Sequence, residues 1–195
     1  HALALHWAND PVGQIAQARR ALRPDGLFLG VLFAGDTLRE LREALAGAEI
    51  ELLGGLSPRV APMGEIRDLG GLLQRAGLAL PVADGLRFDV TYPDAFRLMR
   101  DLRAMGETSV LVDRLRRPTP RAVFARAAAL YAERFALPDG RLPATFEVVV
   151  LTGWAPAPDQ QKPLRPGSAR TRLADALGVP EQDAGEHWTG EKPGG

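Results

Sequence analysis

The order of elements in the sequence predicts an α/β fold built on a parallel sheet, and three observations carry that prediction. An apolar opening, "LALHW", leads into a capped helix and then a second apolar run, "LFLGVLF" (residues 27–33), the strand, helix, strand order that a parallel sheet requires. Two later segments, "LRFDVTYP" (86–93) and "TFEVVVLTGW" (145–154), have the alternation or the β-branched and aromatic content of strands. Two helical patterns lie between them, so the last strand pair carries a helical insertion over about 94–142.

Each element has its own local signals. Asp10 caps a helix whose first position is Pro11, and Ile15, Ala18 and Leu22 recur at helical spacing until "RPDG" (23–26) stops it. The "LFLGVLF" run is continuously apolar rather than alternating, which suits a central parallel strand covered on both faces. "TLRE" (37–40) has the form of a capping box and would open a second helix with Leu38, Leu41, Leu45 and Ala48 on one face. "LGGLSPRVAPMG" (53–64) reads as a loop. Residues 65–76 read as a third helix closed by Gly77, with Leu69, Leu72, Leu73 and Ala76 as its core stripe.

The insertion holds helices over 94–105 and 120–135, the second capped by Thr119. Its two flanking strands, 86–92 and 145–152, are expected to pair antiparallel. After Trp154 proline, glycine and charge dominate, so residues 1–154 are expected to form the folded domain and 155–195 a tail with one weak helix.

Composition excludes several function classes. With 195 residues and 46% hydrophobic content the chain can bury a core of its own. Twenty-four basic and 24 acidic residues cancel, and no stretch gathers the positive charge of a nucleic-acid groove. The absence of cysteine removes disulfides, thiolate metal sites and thiol catalysis together, which fits a reducing cytoplasm. The longest apolar run, "GLFLGVLFAG", is about half the ~20 residues that a bilayer span needs, so no membrane span is expected.

A strand ending in His6-Trp7, a capped helix, "LRPDG", a buried strand and an interrupted strand pair together resemble the C-terminal half of a class I S-adenosylmethionine-dependent methyltransferase. More narrowly, "LHWANDP", "RPDGLFLG", "GGLSPRVAP", "DLRAMGE", "DGRLPATFEVVVLTGW" and "QQKPLRPGSA" resemble the bacterial and mitochondrial family of arginine-hydroxylating assembly factors of respiratory complex I, over about residues 3–169. A more distant resemblance, through "DPVGQIAQARRALRPDG" and "DAFRLMRDLRAMG", is to the malonyl-carrier-protein O-methyltransferases.

The resemblance implies a Rossmann-like methyltransferase sheet and S-adenosylmethionine as cofactor. It also implies a protein or small-molecule acceptor, with a complex I subunit as the specific case, and a bacterial cytoplasmic location. One departure is plain. The family's donor site uses a glycine-rich turn after its first strand, yet this sequence contains no G-x-G and starts at about the fourth strand. The expectation is therefore of a portion that binds the donor weakly or not at all alone. It would also leave an exposed sheet edge beside its opening residues through which it could oligomerise.

In such folds the loop after the fourth strand borders donor and acceptor. The resemblance thus assigns Leu5, His6 and Trp7 to the cofactor, with His6 as the catalytic residue, and Trp7, Asn9, Arg59, Arg103 and Met105 to the substrate. Two readings stand for most of these. His6 and Trp7 are a base and a ligand cover, or a satisfied histidine and a packed indole at a strand end. Asn9 holds substrate, whereas capping alone accounts for Asp10. Arg59 grips a carboxylate or phosphate through its two-pronged guanidinium, or makes a surface ion pair.

Asp101, Arg103 and Glu107 face the pocket below the helix end at Met105 and Gly106, or form a solvated face. His1, His6 and His187 lack metal-ligand spacing, and no metal site is expected. Trp188 falls in the tail. Three functions follow: methyl transfer, arginine hydroxylation coupled to complex I assembly, or a binding module that has lost its donor site. Hydroxylation usually enlists a metal or redox cofactor, and the sequence shows no ligand triad for one.

Overall fold

Asp10 starts the first helix as its position requires, accepting the Gly13 amide on Oδ1 at 2.8 Å with Pro11 next in line. The computed structural model describes residues 1–160, 168 and 171–179. Its elements are α1 (Pro11–Ala21), β1 (Leu27–Ala34), α2 (Arg39–Leu53), α3 (Ile66–Arg75), β2 (Ala79–Tyr92), α4 (Ala95–Ala104), α5 (Arg121–Phe135), β3 (Leu142–Trp154) and the short α6 (Leu173–Leu177). The chain divides into two compact units, His1–Pro158 and Asp159–Gly195, and α6 lies in the second. His187 and Trp188 fall outside the described residues.

The fold is α/β, with a sheet in the order β1-β3-β2. The strand pair around the insertion is antiparallel as expected, with Leu86 opposite Val148 and Tyr92 opposite Leu142. The expected central parallel strand needs correction. β1 pairs antiparallel with β3 over its whole length, Leu27 opposite Trp154 and Ala34 opposite Glu147. Among the described residues its other edge meets the opening ones, in an isolated parallel bridge between Ala2 and Val31. There Leu3 N–H donates to Val31 O at 2.7 Å, and Val31 N–H to His1 O at 2.9 Å.

The opening is consequently not a strand ending in His6-Trp7. The bridge gives way to a 3-10 turn, Leu5–Trp7. The expected open edge beside these residues is closed by them over one short stretch.

Burial explains why β3, last in sequence, sits in the middle. Its two faces are both covered: Val149 and Leu151 pack with Ile15, Phe28, Leu32 and Leu73 beneath α1 and α3. Ala144 and Phe146 pack with Phe33, Leu41, Leu98 and Tyr131 beneath α2, α4 and α5. A strand apolar on both faces gains most from that position. β1 is covered on both faces only towards its end, for Leu27 and Leu29 are each 50% exposed. The apolar face of β2 is likewise open, with Leu86 and Phe88 each 50% exposed.

Two caps differ from expectation. "TLRE" forms no capping box: Leu38 precedes α2 in a left-handed conformation, φ 56°, with no side-chain cap. The Thr37 hydroxyl instead donates to Ala34 O at 2.7 Å, and Glu40 turns inward to accept the Thr145 hydroxyl at 2.6 Å. Tertiary partners have outcompeted the local motif. Nor does Thr119 cap α5, where Pro120 holds the cap position and no side-chain bond is made. Among the described residues no helix is long and apolar enough to cross a membrane.

Candidate functional site

A cavity of about 370 Å³ opens between the 3-10 turn, the start of α2, the 54–65 loop, the end of α4 and the segment leading to α5. Leu41, Met63, Met99, Leu102 and Phe124 make its walls largely apolar. Polar side chains, among them His6, Arg59, Arg103 and Glu107, interrupt these apolar walls, a composition that small-molecule sites share.

His6 reaches the cavity from the turn. Its side chain is only 5% exposed, and Nε2 lies 3.3 Å from Glu107 Oε2. The ring packs against Trp7 at 5.0 Å between centroids and meets Phe33 edge-on at 5.4 Å. Nδ1 is buried with no hydrogen-bond partner.

Glu107 is delivered by the end of α4. Gly106, with φ 85°, donates its N–H to Arg103 O at 3.1 Å, and Glu107 N–H donates to Leu102 O at 2.9 Å. This paired closure is the glycine-dependent helix ending that reverses the chain. It turns the carboxylate back over the helix toward His6.

The opposite wall is braced by a buried carboxylate. Glu49 accepts the Ser57 amide at 2.8 Å, the Ser57 hydroxyl at 2.6 Å and the Arg59 Nε at 2.8 Å, and is also bonded by Arg59 Nη2. Burial by itself would push the pKa of the Glu49 carboxyl up. The Ser57 hydroxyl and amide and the Arg59 guanidinium outweigh it and hold the carboxyl below its ordinary range. Arg59 in turn lies 5.8 Å over the Phe124 ring, so one side chain ties α2, the loop and α5 together.

His6, Trp7, Arg59 and Arg103, far apart in sequence, are thus brought to one cavity. Three of the expected residues are not. Leu5 is 1% exposed in the core beneath α1 and α3, Asn9 is exposed away from the cavity, and Met105 is exposed while Met99 takes the wall position. Arg59 makes an ion pair, though with a buried partner rather than a surface one. The sequence left Glu107 either facing the pocket below the helix end at Met105 and Gly106 or on a solvated face, and it lines the cavity. Glu49 was missed altogether, although it follows Leu41, Leu45 and Ala48 on the inward face of α2.

The chain is similar to proteins named arginine-hydroxylase NDUFAF5, mitochondrial. The Dictyostelium discoideum protein is 42% identical over 91% of this chain and 41% of its own length, and the Homo sapiens protein 42% identical over 89% and 50%. The malonyl-[acyl-carrier protein] O-methyltransferase of Laribacter hongkongensis is 39% identical over 85% of this chain and 53% of its own. The chain belongs to the class I methyltransferase-like superfamily. No family model matches it. Among solved structures, the YcgJ protein from Bacillus subtilis superposes with a TM-score of 0.44 and 14% identity, over 80% of this chain and 62% of that one.

This methyltransferase-like chain spans about half the length of the curated relatives it matches. The expected bacterial cytoplasmic location is corrected by the same comparison, since these NDUFAF5 relatives are mitochondrial proteins of eukaryotes. The cavity does not fit the whole of S-adenosylmethionine. Glu107, the one carboxylate lining it among the described residues, is already turned to His6, leaving none for a ribose. The sequence also lacks the G-x-G by which such folds approach a nucleotide closely.

Proposed function

We propose that this chain supplies the acceptor side of a methyltransferase-like enzyme. In this reading the cavity receives the acceptor, Trp7 covers it, and His6 orients it beside an S-adenosylmethionine that other residues hold. The observation that carries the reading is a part-buried histidine–carboxylate pair, His6 and Glu107, in the wall of a cavity with many apolar lining residues. Arg103, from the end of α4, lies at the same cavity and is suited to an acceptor's polar end.

A second reading has a specific support of its own: the relatives named as arginine hydroxylases reach 41–43% identity. Under it the acceptor is an arginine side chain of a respiratory complex I subunit, and the product gains oxygen rather than carbon. Mass spectrometry of candidate acceptors, after incubation with the protein in its natural length, S-adenosylmethionine, dioxygen and a two-electron reductant, separates the two. A gain of one methylene supports methyl transfer, and a gain of one oxygen supports hydroxylation. An acceptor that is bound but unchanged overturns both and leaves a binding module.

A further inference from the structure

We infer that the cavity selects an anionic ligand, an apolar body ending in a carboxylate or phosphate group, and that Arg103 and Arg114 hold that end. The inference rests on the cavity being the acceptor site, and it deepens that reading by naming the charge of what enters.

Among the described residues three guanidiniums and one carboxyl line the cavity: Arg59, Arg103 and Arg114 against Glu107. A guanidinium is not deprotonated in a protein. Arg59 is offset by the buried carboxyl of Glu49. Glu107, turned to His6 Nε2 at 3.3 Å, offsets at most one of the other two. An excess of positive charge is left at the cavity, although the whole chain balances 24 basic against 24 acidic residues.

Neither Arg103 nor Arg114 has an acid of its own. Among the described residues no ion pair includes either of them. Asp101, on the same helix as Arg103, is paired with Arg97 at 3.4 Å. Arg114 Nη1 donates to a backbone carbonyl, Leu111 O, at 2.9 Å. Both arginines are exposed, so a ligand can reach them.

A single exposed guanidinium is worth little to a partner. Two of them beside a cavity walled by Leu41, Met99 and Phe124 act in a less polar medium than open water, where the same charges count for more. A cavity of about 370 Å³ is under ~10 Å across if compact, within one Debye length at 0.1 M salt, so both charges are felt throughout it. The walls suit an apolar body and the arginines an anionic end, which a guanidinium matches with two parallel N–H donors. A cationic ligand, an arginine side chain included, would instead meet like charge.

Nitrogen-15 NMR titration of the 195-residue chain with hexanoate, hexyl phosphate, hexanamide and hexylguanidinium compares one apolar chain carrying four different ends. The indole resonance of Trp7, which lines the cavity, reports occupancy. At low salt at least one anion should bind about three- to tenfold tighter than hexanamide, with hexylguanidinium the weakest, and the advantage should shrink as salt rises. The tighter of the two anions identifies the end group. Arg103→Gln and Arg114→Gln should each weaken anion binding about threefold and leave hexanamide unchanged. Arg20→Gln, at an exposed position of α1 that does not line the cavity, removes the same charge and should change neither.

Equal affinity for the four probes, tighter binding of hexylguanidinium, or no shift of Trp7 with either anion overturns the inference. So does an anion preference that survives loss of both arginines, or one that Arg20→Gln lowers as much. If the preference holds while the acceptor assay gives no modified product, the proposed reaction fails and the anion site stands. A modified acceptor that carries no anionic end overturns the inference and leaves the reaction in place.

Discussion

The Thr145 hydroxyl donates to Glu40 Oε1 at 2.6 Å and the Thr145 amide to Oε2 at 3.2 Å, joining the middle of the sheet to the first turn of α2 across 105 residues of chain. Both residues are buried, at 1% and 2% exposure. A threonine that looks like a strand former and a glutamate that looks like a helix cap are in fact each other's partner. Thr145→Val keeps the branched shape favoured in a strand but removes the donor from a buried carboxylate. The expected cost is about 1–3 kcal/mol, read as a lower urea midpoint with an unchanged slope.

Glu49 gives the fold a dependence on acid. Its carboxyl is held below the ordinary value of 4.5 by Ser57 and Arg59 against the opposing effect of burial. A depressed acid stabilises the folded state above its unfolded value and loses that contribution as pH falls through the folded one. Thermal unfolding should therefore show a fall in Tm on acidification below about 4.5 that is smaller in Glu49→Gln, while that variant is less stable than the wild type at pH 7. Parallel pH profiles of the two proteins would rule this account out.

Gly106 has φ 85° and nothing within 4 Å of where a Cβ would stand, so any side chain there meets conformational cost without a clash. Gly106→Ala should cost about 1 kcal/mol, by denaturant titration. Because Glu107 is aimed by this turn, the His6 ring signals should move as well. The same substitution at Gly71, inside α3 and also in open space, should stabilise by about 0.5–1 kcal/mol.

Substitution of a histidine at a pocket mouth would cost activity more than stability. With its side chain 5% exposed and packed between Trp7 and Phe33, His6 contributes packing too. The expected outcome of His6→Ala is a lower Tm together with loss of acceptor modification per folded molecule. A drop in Tm with full specific activity would return His6 to the core and remove it from the chemistry.

Calorimetric titration of the 195-residue chain with S-adenosylmethionine should show no micromolar binding, since the one carboxylate lining the cavity among the described residues is turned to His6 and the sequence has no G-x-G. A clear micromolar affinity would mean that the donor sits in a place this account overlooks.

The sequence by itself determined what local physics controls. Asp10 and Pro11 began α1, Gly77 ended α3 with φ 77°, and the alternation of 86–92 against the β-branched 145–152 led to the correct antiparallel pair. Motif resemblance likewise carried the superfamily and drew His6, Trp7, Arg59 and Arg103 into one list.

Only the tertiary structure decided the rest, because it depends on competition between distant partners. An apolar run such as 27–33 states that a strand is buried without stating the direction of its neighbour, and β3 took the central place because both of its faces could be covered. "TLRE" obeyed the pattern of a capping box but lost its threonine to Ala34 and its glutamate to Thr145. Glu107 and Glu49 look like surface charges along the chain. Each found its partner only when the turn after α4 and the loop after α2 brought His6 and Arg59 within hydrogen-bonding distance, Glu107 part-buried and Glu49 fully so, where a carboxylate shielded from water must be paired.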